Sequence, residues 1–261
     1  MSAPVPQGTV TFVFTDIEGS TDLLKRLGDR YADVVATHRR IIREEFGRRD
    51  GVEMDTQGDA FFFSFARARD AVAAAVSAQQ RLASHAWPDG IRLSVRMSLH
   101  TGEPVVGEEG YVGIDVVRAA RICAAGHGGQ VLLSAATATL VGTALPEGVR
   151  ERDLGEHRLK DIDHPERIYQ LDVDGLPSTF PPLRTHGEKP LDFEQRLEHR
   201  IQSYVESRVE RALAGPDVAS SREPPPGLTK LAAGGLLIAF LGLCLLAALV
   251  IGIVVLVRFA F

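Results

Sequence analysis

The sequence has only two cysteines, Cys123 and Cys244, far apart in the chain. Two thiols so placed build neither a disulfide framework nor a zinc-ligand spacing, which points to a reducing compartment. An excess of basic residues is also missing. The formal net charge of −5 gives no electrostatic reason to expect a nucleic-acid partner. The N-terminus, MSAPVPQG, lacks the basic and apolar regions of a secretion signal. What is present is a composition 45% apolar and 24% charged, sufficient for a globular core.

Near the other end, LAAGGLLIAFLGLCLLAALVIGIVVLV (231–257) runs 27 residues without a charge. As a helix it would be ~40 Å long, longer than the ~30 Å hydrocarbon core of a bilayer. A buried core helix would rarely be this long and apolar on every face. Lys230 and Arg258 bracket the run closely and leave orientation to the bulk of the chain. The expectation is a tail-anchored, single-pass protein of the cell membrane with its folded domain in the cytoplasm.

Hydrophobic periodicity divides the first 173 residues into alternating strands and helices. Strands are expected at 10–17, 52–55, 60–65, 91–101 and 130–133, and helices at 29–48, 67–83, 115–125 and 134–141, with short strands closing the domain up to 169–173. Gln57, Gly58 and Asp59 form the turn of a hairpin. The first six elements follow the order β-α-β-β-α-β. That predicts an α+β fold with a ferredoxin-like core, helices covering one face of an antiparallel-type sheet. Domain boundaries are expected at 1–176, followed by a linker at 177–190 and a charged amphipathic helix at 191–214. A Pro/Gly/Ser-rich tether at 215–230 leads to the apolar run. The stripe Leu197, Ile201, Val205, Val209 and Leu213 could pair with a copy of itself, pack on the domain or lie on a membrane surface.

Two acidic clusters end apolar runs: Asp16 with Glu18, and Asp55 with Asp59. In the split order the first and third strands are neighbours, which would bring Asp16 and Asp59 side by side although 43 positions separate them. Paired carboxylates repel unless a cation neutralises them, and oxygen ligands without His or Cys select hard ions such as Mg²⁺ or Mn²⁺. Gly19, Ser20 and Thr21 open a helical segment whose free N–H groups suit a phosphate. The same acids could also serve as turn residues or helix caps.

TFVFTDIEGST, DTQGDAFFFSF, RMSLHTGEP, GYVGIDVVRAARICAAGHGGQVLLS and RDLGEHRLKDIDHPERIYQL together resemble the catalytic domain of class III adenylate/guanylate cyclases over 10–171. The resemblance implies dimers with active sites at the subunit interface, and two divalent metal ions per site. By matching, the metal ligands fall on Asp16, Asp59 and the backbone of Ile17. The phosphate-contacting loop falls on Glu18, Gly19, Ser20 and Thr21, and the transition-state arginine on Arg121. Arg118, one turn earlier, is the competing arginine, and Arg121 could instead be a surface residue.

The pattern departs from the family at three polar positions. The base-reading positions hold Asp55 and Gly110, and the ribose-positioning asparagine is replaced by Val117. A carboxylate only accepts hydrogen bonds; Asp55 suits guanine, uracil or the amine of adenine, but opposes the lone pair of adenine N1. Gln57 beside it can donate and accept, and Asp55 could instead pair with an arginine such as Arg96. Loss of the asparagine contact would cost on the order of 2.7–4 kcal/mol of transition-state stabilisation. His100 and His127 read as structural, and Trp87-Pro88 as packing at a helix end.

The resulting expectation is a membrane-tethered, homodimeric nucleotidyl cyclase, a phosphorus–oxygen lyase that makes a 3′,5′-cyclic nucleotide and pyrophosphate. ATP or GTP is the first substrate choice; UTP and CTP stay open. The alternatives are a non-catalytic nucleotide-binding regulator and an enzyme completed by a different cyclase-like chain.

Overall fold

A computed structural model describes residues 5–107 and 110–185. In chain order the elements are β1 (Val10–Ile17), α1 (Ser20–Leu27), α2 (Tyr31–Gly47), β2 (Val52–Gln57), β3 (Ala60–Phe65), α3 (Ala68–Ser84) and β4 (Val95–Gly102). They continue with β5 (Val105–Gly107), β6 (Gly110–Val112), α4 (Ile114–Ala125), β7 (Val131–Ser134), α5 (Ala135–Val141), β8 (Val149–His157) and β9 (Glu166–Val173). The stretches read as a charged helix, a tether and an apolar span lie outside the described residues. Among the described residues no helix is long and apolar enough to cross a membrane.

Seven strands form one sheet in the order β2-β3-β1-β4-β7-β9-β8. The split β-α-β-β-α-β core is present, with β1 antiparallel to both β3 and β4. The sheet is not wholly antiparallel, because β7 joins β4 in parallel. Nor do helices cover only one face. Along β1, Val13 and Ile17 join the core under α2 and α3; Phe12 and Phe14 pack with Ala119, Ala120 and Cys123 of α4 on the opposite face. Side chains alternate across a strand, so a strand with both alternating sets buried needs a helix on each side. β1 is buried at all eight positions.

The helix expected over 29–48 is present as α2; the helical segment before it, α1, stops at Gly28, whose φ of 56° suits a residue without Cβ and whose N–H closes on Leu24 O. A short 3-10 turn then leads into α2. The strand expected from Ile91 begins only at Val95, because Pro88–Gly90 forms a 3-10 turn with Asp89 at positive φ. The Trp87 indole N–H donates to Leu82 O at 3.0 Å and ties that turn to the end of α3. The β5–β6 hairpin was not visible in the periodicity, because each strand has three residues.

His38 of α2 is fully buried against the Phe61 ring, and neither ring nitrogen has a hydrogen-bond partner. Burial first, with Arg39 adding to it, pushes its pKa from 6.5 down to about 3. The folded form therefore resists protonation that the unfolded chain accepts. Stability attributable to this residue is complete above pH 6.5 and is lost progressively as pH falls from 6.5 toward 3. Denaturant titrations at pH 7 and pH 4.5 should show the midpoint falling in the native chain. The fall should be smaller for His38→Leu; an identical fall in both would refute the assignment.

Candidate active site

The β1–β3 register sets Thr15 opposite Phe61. Asp16 follows at the end of β1, and Asp59 precedes β3 by one residue in the turn from β2. The two acids expected to converge are therefore carried on adjacent strand ends, and both are 3% exposed. Asp59 Oδ2 is buried without a hydrogen-bond partner, a costly state for a carboxylate. Asp16 Oδ2 accepts from Arg96 Nε at 3.0 Å and from a terminal nitrogen of the same guanidinium. Arg96 is the direct register partner of Asp16 across β1 and β4. Burial opposes its charge, but the Asp16 carboxylate outweighs that and holds the guanidinium above its usual pKa. Arg96 is thus engaged by Asp16, not by Asp55 as one reading of the sequence allowed.

The turn itself is gripped from α2. Arg39 Nε donates to Gly58 O at 3.1 Å, and Arg43 makes paired contacts of 2.7 Å with Glu53 of β2. Asp55 pairs with Phe62 after a bulge at Met54, while Gln57 closes β2 opposite Ala60. Gly110, at φ 118°, would place a Cβ 3.5 Å from Met54 Cε. Gly110 therefore approaches β2 at Met54, the residue before Asp55.

Glu18 leaves β1 with its N–H on Ser94 O at 2.9 Å, and Gly19, at φ 69°, opens α1 with Ser20 and Thr21 following. Glu18 Oε2 accepts the Gly128 N–H at 3.1 Å, and Arg184 donates to Oε1. Burial works against ionisation here, but Arg184 and the Gly128 amide hold the carboxyl below its usual range.

On α4, Arg121 is 4% exposed, which excludes the reading as a surface arginine; it is paired with Asp161. Val117 packs against the cluster of Ile122, Leu132, Leu159 and Ile162. Arg118, the competing arginine, is taken up by Asp115 at 2.7 Å and Glu166 at 2.5 Å. His100 bridges Ser134 Oγ at 2.8 Å and Asp115 Oδ1 at 3.2 Å, and the His100 contact leads in holding the Asp115 carboxyl low. Gly102 permits this approach, since a Cβ there would meet Asp115 Oδ2 at 2.2 Å. His127 ties its loop to Pro182 O at 2.9 Å. Both histidines serve structure, as read from the sequence. Burial raises the Cys123 thiol to about 12, so it stays protonated behind the site.

Sequence reasoning did not assign site roles to Arg96, Arg39 or Arg184. The first was findable: alternation in β4 separates Arg96 from the apolar set Leu93, Val95, Met97 and Leu99. The other two act on backbone or across 166 positions, where no pattern points.

No group of three or more His, Cys, Asp or Glu side chains able to hold a metal occurs among the described residues. The donor set still fits a hard cation: two buried carboxylates, one with an unpartnered oxygen, beside the Ile17 carbonyl.

Residues 3–172 match the family described as Adenylate and Guanylate cyclase catalytic domain. An uncharacterized protein of Mycobacterium tuberculosis is 38% identical over 187 residues, covering 71% of this chain and 63% of its own length. This chain thus spans about 63% of the curated relatives it matches first. An adenylate cyclase of Podospora anserina is 29% identical over 223 residues, covering 64% of this chain and 10% of that protein. The solved structure of a Trypanosoma brucei adenylate cyclase in its monomeric state superposes with a TM-score of 0.63 at 28% identity, covering 72% of this chain and 97% of that one. With the motifs matched in order over most of the described residues, the chain belongs to the adenylate and guanylate cyclase catalytic domain family.

Proposed function

We propose that the protein is a nucleotidyl cyclase working as a homodimer, with ATP or GTP as first substrate and UTP or CTP next. The observation that carries this is Asp59, a buried carboxylate with an oxygen left unpartnered next to the strand end that bears Asp16. Asp16, Asp59 and the Ile17 carbonyl would hold Mg²⁺ or Mn²⁺. Two such ions, when bound, supply Lewis acidity at the ribose 3′-hydroxyl and neutralise triphosphate charge.

The chain's own groups do the rest. Backbone N–H groups at Gly19, Ser20 and Thr21 would receive the triphosphate, aided by the positive end of α1. Asp55 and Gln57 would read the base, with Gly110 leaving room. Arg121 would donate to the α-phosphate as charge builds on it during attack by the 3′-oxygen. Asp161, one of its partners, is 57% exposed, so a phosphate would compete with it for the guanidinium from the solvent side.

Within one chain Arg121 answers to Asp161 and Asp16 to Arg96; a site shared between two copies would join the arginine of one to the acids of the other. Val105 and Val106 on β5 and Ile114 at the start of α4 are exposed apolar residues suited to that meeting. The test is complementation in the full chain, with products of each triphosphate identified by mass. Asp59→Ala and Arg121→Ala should each be inactive alone. Mixed, they should recover about a quarter of the native rate, since half the dimers then hold one intact site of two. No recovery would refute a shared site.

A second reading, a nucleotide-binding regulator without turnover, is favoured by Val117, whose apolar packing cannot replace an asparagine's hydrogen bond. Absence of product from every triphosphate, with binding retained, would establish it instead.

A further inference from the structure

Residues 178–185 follow the segment that matches the family, yet they are bonded back across it. Ser178 O accepts from Gln170 Nε2 at 2.7 Å. Pro182 O accepts from His127 Nε2 at 2.9 Å, and Leu183 joins the apolar cluster that holds Val117. Arg184 N donates to Ala125 O at 2.9 Å, and its guanidinium donates to Gly126 O at 3.2 Å and to Glu18. The stretch read as the start of a linker is therefore a strap over the end of α4.

The Arg184–Glu18 contact joins the strap to the loop between β1 and α1. Its two side chains are 23% and 34% exposed, so it lies partly out of water. On the other side of the same carboxylate the Gly128 N–H is bound at 3.1 Å. A side chain at Gly128 is barred, because its Cβ would stand 2.5 Å from Ser94 Cβ and 2.8 Å from Glu18 Oε2. Three segments distant in sequence thus meet on one carboxylate, immediately before the residues whose N–H groups open α1.

We propose that Arg184 is a positioning residue for triphosphate binding: through Glu18 it fixes the 18–21 loop in the geometry that receives phosphate. This rests on the cyclase reading of that loop. A loop ordered beforehand binds without the entropy cost of ordering at that moment. Losing it raises KM and leaves the chemical step alone. Because the loop meets phosphate and not base, the change is the same for every nucleotide.

The experiment compares full-length native protein with Arg184→Ala, Arg184→Lys, Glu18→Gln and the double variant Glu18→Gln/Arg184→Ala. Steady-state kinetics, binding of a fluorescent nucleoside triphosphate analogue and melting temperature are measured for each. Arg184→Ala should raise KM and the analogue Kd about three- to tenfold, with kcat within about twofold. Arg184→Lys should recover most of the loss, and the double variant should be no weaker than Glu18→Gln alone. Unchanged KM, additive losses in the double variant, or a fall in kcat and melting temperature at constant KM would overturn the proposal. Should Arg184→Ala not fold, the Arg184→Lys and Glu18→Gln arms carry the same comparison. Native protein that binds no triphosphate removes the cyclase reading and this proposal together. Native binding unchanged in Arg184→Ala removes this proposal alone.

Discussion

Asp59→Ala should abolish turnover and, in metal-free protein, raise stability. The carboxylate is 3% exposed and one of its oxygens has no partner, so the folded state bears a desolvation cost that alanine removes. That cost is about 1–3 kcal/mol for a buried unsatisfied group. The same oxygen is what a divalent cation would use. Added Mn²⁺ should therefore raise the native melting temperature by mass action and leave that of the variant unmoved. Turnover should fall on the order of a thousandfold or more, the loss of several kcal/mol of charge stabilisation. Thermal melts with and without Mn²⁺, beside product quantified by mass, check all three. A variant less stable than native without metal, or one shifted equally by Mn²⁺, would contradict the assignment.

Arg96→Met should be the most destabilising single change at the site. Its side chain and that of Asp16 are 3% and 5% exposed, and removing one member of so buried a pair strands the other charge. Such truncations cost about 3–5 kcal/mol. The double variant Arg96→Met/Asp16→Asn should recover much of that, since no bare charge is left. The exposed pair Arg43–Glu53, at 47% and 30%, should by contrast lose no more than about 1 kcal/mol when broken. Chemical denaturation of the four proteins decides the matter. A loss for Arg96→Met as small as that for Arg43→Met would show that Asp16 finds solvent or another partner.

The convergence of Asp16 and Asp59 was legible because the β-α-β-β-α-β order makes the first and third strands neighbours, and the β1–β3 register agrees. The grip of Arg96 on Asp16 depends on the β1–β4 register, which hydrophobic alternation alone does not set. The burial of β1 on both faces, with α4 over the second, was not read, because the split order led to helices on one face and helix order leaves the side of packing open. Val117 could be read as a missing asparagine. Its place among Ile122, Leu132, Leu159 and Ile162 could not, since those partners come from later in the chain. The strap was hidden for a different reason: FPPLRT has neither strand nor helix period, so its docking rests on single hydrogen bonds that leave no repeat in the sequence.

The run AFFFSF in β3 has one more consequence. Phe61, Phe63 and Phe65 are sunk in the layer with Phe46, while Phe62 stacks on Phe14 in the layer behind, centroids 4.5 Å apart and planes 10° from parallel. A ribbon riveted through both layers cannot slide without breaking both, and Asp59 sits at its first residue's doorstep. The turn that carries Asp59 is thereby anchored through aromatic packing, whereas the loop that carries Glu18 is held by charge, through Arg184 and the Gly128 amide.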